Sequence, residues 1–174
     1  MVLTKEELID ALRQEIRILL HLAGKVDPAQ LDYRPTPKQR STLELLQYLA
    51  VMGPVQVKMI REGEFSRAAF SAAWTPAEAA AKVMSYDDAV AAIAKQADYY
   101  ASTLGEWSDA DFREVLDMFG NKSSRGLMLI QMLLAAHAAY RTQLFCYLKA
   151  CGRDELSTIN LWGGMDAPPA KAGA

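Results

Sequence analysis

The stretch Leu133 to Gly152, LLAAHAAYRTQLFCYLKACG, sets an imidazole, a phenol, a guanidinium and an amide (His137, Tyr140, Arg141, Gln143) on an otherwise greasy helix. An imidazole can ligate a metal or carry a proton, a guanidinium can hold an anion, and a buried phenol needs a hydrogen-bond partner. At about 100° per residue, His137, Tyr140, Leu144 and Leu148 share one face with Ile130 and Leu133, and Gln131, Thr142 and Lys149 fall opposite. His137 is therefore expected to face a core or its edge. Arg141 is expected at the boundary, its stem packed and its guanidinium reaching out.

Other reactive side chains are less suggestive. His21 sits late on the first helix, where a lone histidine complements the helix dipole. Cys146 and Cys151 diverge around one helix, so they cannot bridge, and no positive cluster lowers a thiol pKa to make a nucleophile. The acidic residues gather at helix starts, where capping accounts for them.

Those side chains need a scaffold, and the caps and stripes describe one. Thr4 with Glu7 is a capping box for a first helix over about 4–23, with Leu8, Leu12, Ile16, Leu19 and Leu20 as its apolar stripe. Pro28, Pro35 and Pro37 keep Asp27 to Arg40 out of a helix. Ser41 with Glu44 opens a second helix running to Glu62, in which Pro54 should produce a kink. The pattern loosens between Gly63 and Met84, where Thr75-Pro76 would open a short Ala-rich turn of helix. Ser85 with Asp88 caps a third helix that stops at Gly105. Asp109 to Arg125 reads as an irregular connector, a turn or a frayed strand pair, and a fourth helix runs from Ser123 or Ser124 to Ala150, closed by Gly152. The expectation is an all-α four-helix bundle with at least one crossover connection, a single domain over 1–166, and a disordered tail over 167–174.

Bulk properties narrow the function classes. With 19 basic against 21 acidic residues and no basic stripe, nucleic acid is not an expected partner. The start of the chain lacks the pattern of a secretory signal, and the longest apolar run, Gly126 to Tyr140, falls short of the roughly 20 residues of a membrane span. A cytoplasmic protein with reduced thiols and no membrane association is the expectation.

Four segments, Tyr33-Arg34-Pro35, Ser41 to Ala50, Tyr140-Arg141-Thr142-Gln143 and Asn160-Leu161-Trp162-Gly163-Gly164, together resemble the DinB-like (YfiT-like) four-helix-bundle family. The resemblance implies three histidines binding a divalent metal, one in the second helix and two in the last. It also implies dimers, and, in members that keep the histidines, metal-dependent thiol S-transferases or isomerases. The corresponding positions here are Tyr48, Ala136 and Tyr140, and His137 is one residue, about 100°, out of register.

Three readings follow. In the first, no metal or other cofactor is bound, and Tyr48, His137, Tyr140 and Arg141 line a pocket between helices two and four for a small-molecule ligand. In the second, Zn or Ni is held through substituted ligands and the thiol chemistry survives. In the third, the helices serve only a non-catalytic homodimeric scaffold, with His137 and the tyrosines as satisfied packing residues. Whether the chain is an enzyme is left open by the sequence.

Overall fold

Capping boxes at Thr4, Ser41 and Ser85 start three of the long helices in the computed structural model, which describes residues 3–168. In chain order the elements are α1 (Lys5–Ala23), α2 (Thr42–Glu62), α3 (Arg67–Ala81), α4 (Tyr86–Gly105), α5 (Asp109–Arg113), a hairpin of β1 (Val115–Met118) and β2 (Asn121–Ser124), α6 (Arg125–Met128), a π-helical stretch Leu129–Leu134, and α7 (Ala135–Ala150). A further π turn, Ile159–Gly163, follows the last helix. The fold is all-α apart from the hairpin. Among the described residues no helix is long and apolar enough to cross a membrane. Of the tail expected to be disordered, only Ala167 and Pro168 lie inside the described residues.

Helices α1, α4, α2 and α7 pack in that cyclic order, which places α1 and α2 at diagonal corners. Lys5 Nζ donates to the carbonyls of Gly105 and Trp107 and Tyr86 donates to that of Ala23, so α1 and α4 are antiparallel. Gln47 reaches the Met84 carbonyl while Gln96 reaches that of Leu49, so α2 and α4 run the same way. A parallel pair needs a return path, and α3 supplies it. The expected crossover is thus a helix.

Here the structure corrects the sequence reading. In place of a loose segment with a short turn at Thr75-Pro76, α3 starts nine residues earlier, capped by Ser66, and carries Pro76 in its interior. Phe70, Ala73, Trp74, Ala77 and Ala81 recur at helical spacing and bury a stripe against α2. The connector before the last helix is ordered too. Phe119 and Gly120 both have positive φ, 54° and 85°, the type I′ geometry that suits a two-residue hairpin turn.

The last helix is not continuous α-helix either. Leu129, Leu133, His137 and Arg141 are all buried. Steps of four overshoot an α-helical turn by about 40° each, and the wider π turns over Leu129–Leu134 absorb part of that drift. The buried stripe therefore runs through Arg141, with Tyr140 beside it and only partly covered.

Candidate functional site

The four side chains singled out from the sequence fall into three separate environments. Tyr48, in the second turn of α2, meets Tyr140 of α7 edge-on with ring centroids 5.1 Å apart. Trp74 of α3 lies parallel to Tyr48 at 5.6 Å, and the Arg40 guanidinium carbon sits 3.9 Å from the Tyr48 centroid. A cleft of about 390 Å³ opens beside this group, walled by Arg40, Glu44, Tyr48, Val51, Glu78 and Lys82. Gln47 fixes its far wall by donating to the Met84 carbonyl at 2.8 Å, which ties the end of α3 to α2. Burial, with the Tyr140 phenol beside it, pushes the Tyr48 hydroxyl well above its ordinary range, so Tyr48 stays a neutral phenol.

His137 faces the other way, across the bundle diagonal to α4. Pro54 has no N–H, so the Ala50 carbonyl lacks its helical donor. Gln96 Nε2 takes that role, donating to the carbonyls of Ala50 at 3.1 Å and Leu49 at 2.8 Å. With its amide nitrogen so committed, Gln96 can offer only Oε1 to Tyr100, whose hydroxyl donates to it at 2.7 Å. The Tyr100 hydroxyl has then used its single proton. Its 2.7 Å contact with His137 Nε2 must be a donation from the imidazole. Burial pushes His137 down to about 4, so the ring is neutral at physiological pH and Nδ1 carries a bare lone pair. That atom is buried and has no protein hydrogen-bond partner. The close approach runs over Gly53, where an added Cβ would come within 1.8 Å of the Tyr100 oxygen. Pro54 thus remains inside one uninterrupted helix, its freed carbonyl satisfied by a neighbouring side chain.

Arg141 departs from its expected place at the helix boundary. Its side chain is 2% exposed, with Nε 2.7 Å from Glu15 Oε2 of α1, a bond to the Leu161 carbonyl, and the Trp162 ring 5.1 Å away. Burial outweighs the arginine at Glu15, whose carboxyl is pushed up. The guanidinium is therefore a clasp between α1 and the segment after α7, with no free edge for an anion. His21 belongs to the same clasp: its Nε2 accepts from Asn160 Nδ2 at 3.1 Å, and burial pushes its pKa down. Cys146 and Cys151 are free thiols, and burial, then Asp27, pushes Cys151 up, away from thiolate character.

The structure thus joins Tyr48 to Tyr140, but of the four only Tyr48 lines the cleft; His137, Tyr140 and Arg141 lie outside it. Sequence reasoning missed Arg40, Glu78 and Lys82 at the cleft, Trp74 stacked on Tyr48, and Gln96 and Tyr100 as partners of His137. The 70, 73, 74, 77, 81 spacing would have signalled α3 had Pro76 not been read as a helix start.

Residues 11–140 match the model of the DinB superfamily. The chain belongs to that superfamily. A DinB-like protein from Bacillus subtilis (YjoA), known from a crystal structure, superposes with a TM-score of 0.64 at 17% identity, covering 86% of this chain and 94% of that one. At that identity the likeness is one of fold. No curated protein matches the chain. In this DinB superfamily member Tyr48 and Tyr140, two of the positions that the resemblance aligns with histidines, lie against each other. Their chemistry does not suit a divalent ion: Ala136 offers no donor, and the Tyr48 phenol, held protonated by burial, is a poor ligand. Among the described residues no group of three His, Cys, Asp or Glu side chains is placed to hold one.

Proposed function

We propose that this DinB superfamily protein is a metal-free binder of a small organic molecule, taken up in the cleft over Tyr48. The observation that carries the reading is the cleft itself. Its volume of about 390 Å³ is of small-ligand size, and it combines an aromatic wall with Arg40, Glu78 and Lys82 at its edges. Relative to the sequence reading, the pocket moves from between helices two and four to between α2 and α3, and Arg40 and Lys82 replace Arg141 as its cations. Tyr48, Ala136 and Tyr140 support the metal-free part through their donor chemistry. Free thiols suit a reducing, cytoplasmic setting.

A homodimer fits alongside, because the outward face of α7 presents exposed Ala135, Ala139 and Cys146, small side chains that let a second helix approach.

The test is a thermal-shift screen of small ions, aromatic acids, amines and thiols, with elemental analysis of protein purified without chelators. Stabilisation by at least one compound, lost in Tyr48→Ala, is expected. Near-stoichiometric Zn or Ni that disappears in Tyr48→Phe overturns the metal-free reading in favour of thiol transfer or isomerisation through substituted ligands. No stabilisation by any compound overturns the binding reading. Light scattering that finds a monomer at all working concentrations ends the dimer.

A further inference from the structure

We propose that the Tyr48 cleft recognises an organic cation, a guanidinium or quaternary ammonium group, and that Arg40 is the intramolecular occupant such a ligand displaces. This rests on the small-molecule reading above and adds the charge class and the competitor.

Arg40 shows what the ring accepts. Its guanidinium carbon lies 3.9 Å from the Tyr48 centroid, well inside the roughly 6 Å reach of a cation–π contact. Among the described residues Arg40 forms no ion pair: the Glu44 carboxylate beside it is taken by Arg34 at 3.3 Å and by the Ser41 amide at 2.7 Å, and Arg40 is the weakest of the influences that hold that carboxyl down. The closest contact of the guanidinium is the ring face. Trp74, parallel to Tyr48, and Tyr140, edge-on to it, pack against the ring and hold it in place. A cation on the face of such a ring gains energy even at an exposed site.

The charges along the wall do not oppose a cation. With the Arg40 side chain swung out, Glu44, Glu78 and Lys82 remain; Glu44 is paired with Arg34, and Glu78 balances Lys82, so the ring face decides the charge that is taken. An anion would meet both carboxylates, and the cation best placed to receive it is already seated on the ring. Arg40 is free to leave, because its side chain is exposed and its backbone is held independently, the carbonyl accepting from the Tyr147 hydroxyl at 3.0 Å. Displacement costs a rotamer change and no movement of the loop.

Calorimetric titration of the wild type, Arg40→Ala and Arg40→Ala/Tyr48→Leu tests this. The probes are tetramethylammonium, agmatine and, as the anion, benzoate, at matched ionic strength, with circular dichroism confirming each fold. The cations should bind Arg40→Ala about tenfold more tightly than the wild type, bind the double variant undetectably, and leave benzoate without heat. Equal cation affinities in the wild type and Arg40→Ala overturn the role of Arg40 as competitor. A folded Arg40→Ala that takes benzoate but neither cation overturns the charge class and leaves the small-molecule reading standing. A folded Arg40→Ala that takes no probe overturns the cation inference, and it overturns the small-molecule reading as well if the wider thermal-shift screen is also silent.

Discussion

Replacing His137 by glutamine should make the protein markedly less sensitive to acid. Gln Nε2 reaches the position of the imidazole Nε2, so it can still donate to the Tyr100 hydroxyl, but it cannot titrate. In the wild type, burial holds His137 at about 4 in the folded state, against about 6.5 for an ordinary histidine in the unfolded chain. Between those values the unfolded state binds a proton that the folded state refuses. Stability is full above about pH 6.5 and falls as the pH drops towards 4. From pH 7.5 to 4.5 the loss from this one group is about 2.5 kcal/mol, or roughly 5–10 °C in Tm for a chain of this size. The assay is thermal unfolding by circular dichroism at half-unit pH steps for the wild type and His137→Gln. Glu15, His21 and the surface carboxylates titrate in both proteins, so the difference between the two curves isolates His137. Parallel curves, with the Tm gap unchanged across this range, would refute the burial of a neutral imidazole.

Three further outcomes follow from the same packing. Gly53→Ala should cost about 3 kcal/mol in urea denaturation, since its methyl would fall 1.8 Å from the Tyr100 oxygen and 2.5 Å from Gln96 Oε1. Gln96→Leu should cost about 3 kcal/mol by stranding the Ala50 carbonyl and the Tyr100 hydroxyl, and adding Pro54→Ala should recover about 1 kcal/mol by returning an N–H to that carbonyl. If Pro54→Ala is no more favourable in the Gln96→Leu background than in the wild type, the two are not linked. Arg141→Met should cost about 3–5 kcal/mol by leaving Glu15 buried without its partner, and should speed amide exchange over 159–166. Unchanged exchange there would show that Arg141 does not hold the segment.

What the sequence disclosed was whatever depends on near neighbours. The capping boxes at Thr4, Ser41 and Ser85 each close within four residues, and the apolar stripes of α1, α2 and α4 repeat turn by turn, so the bundle was legible. The periodicity of the last helix also put His137, Leu144 and Leu148 on the inward face, where the structure buries them. Other features depend on distant chain. The burial of Arg141 is decided by Glu15, 126 residues away, and no local pattern announces it. The cleft needs Glu78 and Ala81 from α3, a helix hidden by a proline that looks like a helix start. Extrapolating a fixed 100° through the π turns placed Arg141 at the edge of the buried face, where the structure has it fully covered and leaves Tyr140 only partly so.

The diagonal placement of α1 and α2 bears on how the chain is made. A nascent chain emerging from a ribosome presents the apolar face of α1 long before its neighbours α4 and α7 exist, because the helix synthesised next takes the opposite corner. Until residue 105 has been translated, Leu12, Ile16 and Leu19 have no lasting cover, and the core cannot close before α7 is complete. Long-range closure of this kind slows folding and prolongs exposure of sticky surface. Truncation before Ala150 should therefore give aggregation in place of a smaller stable bundle.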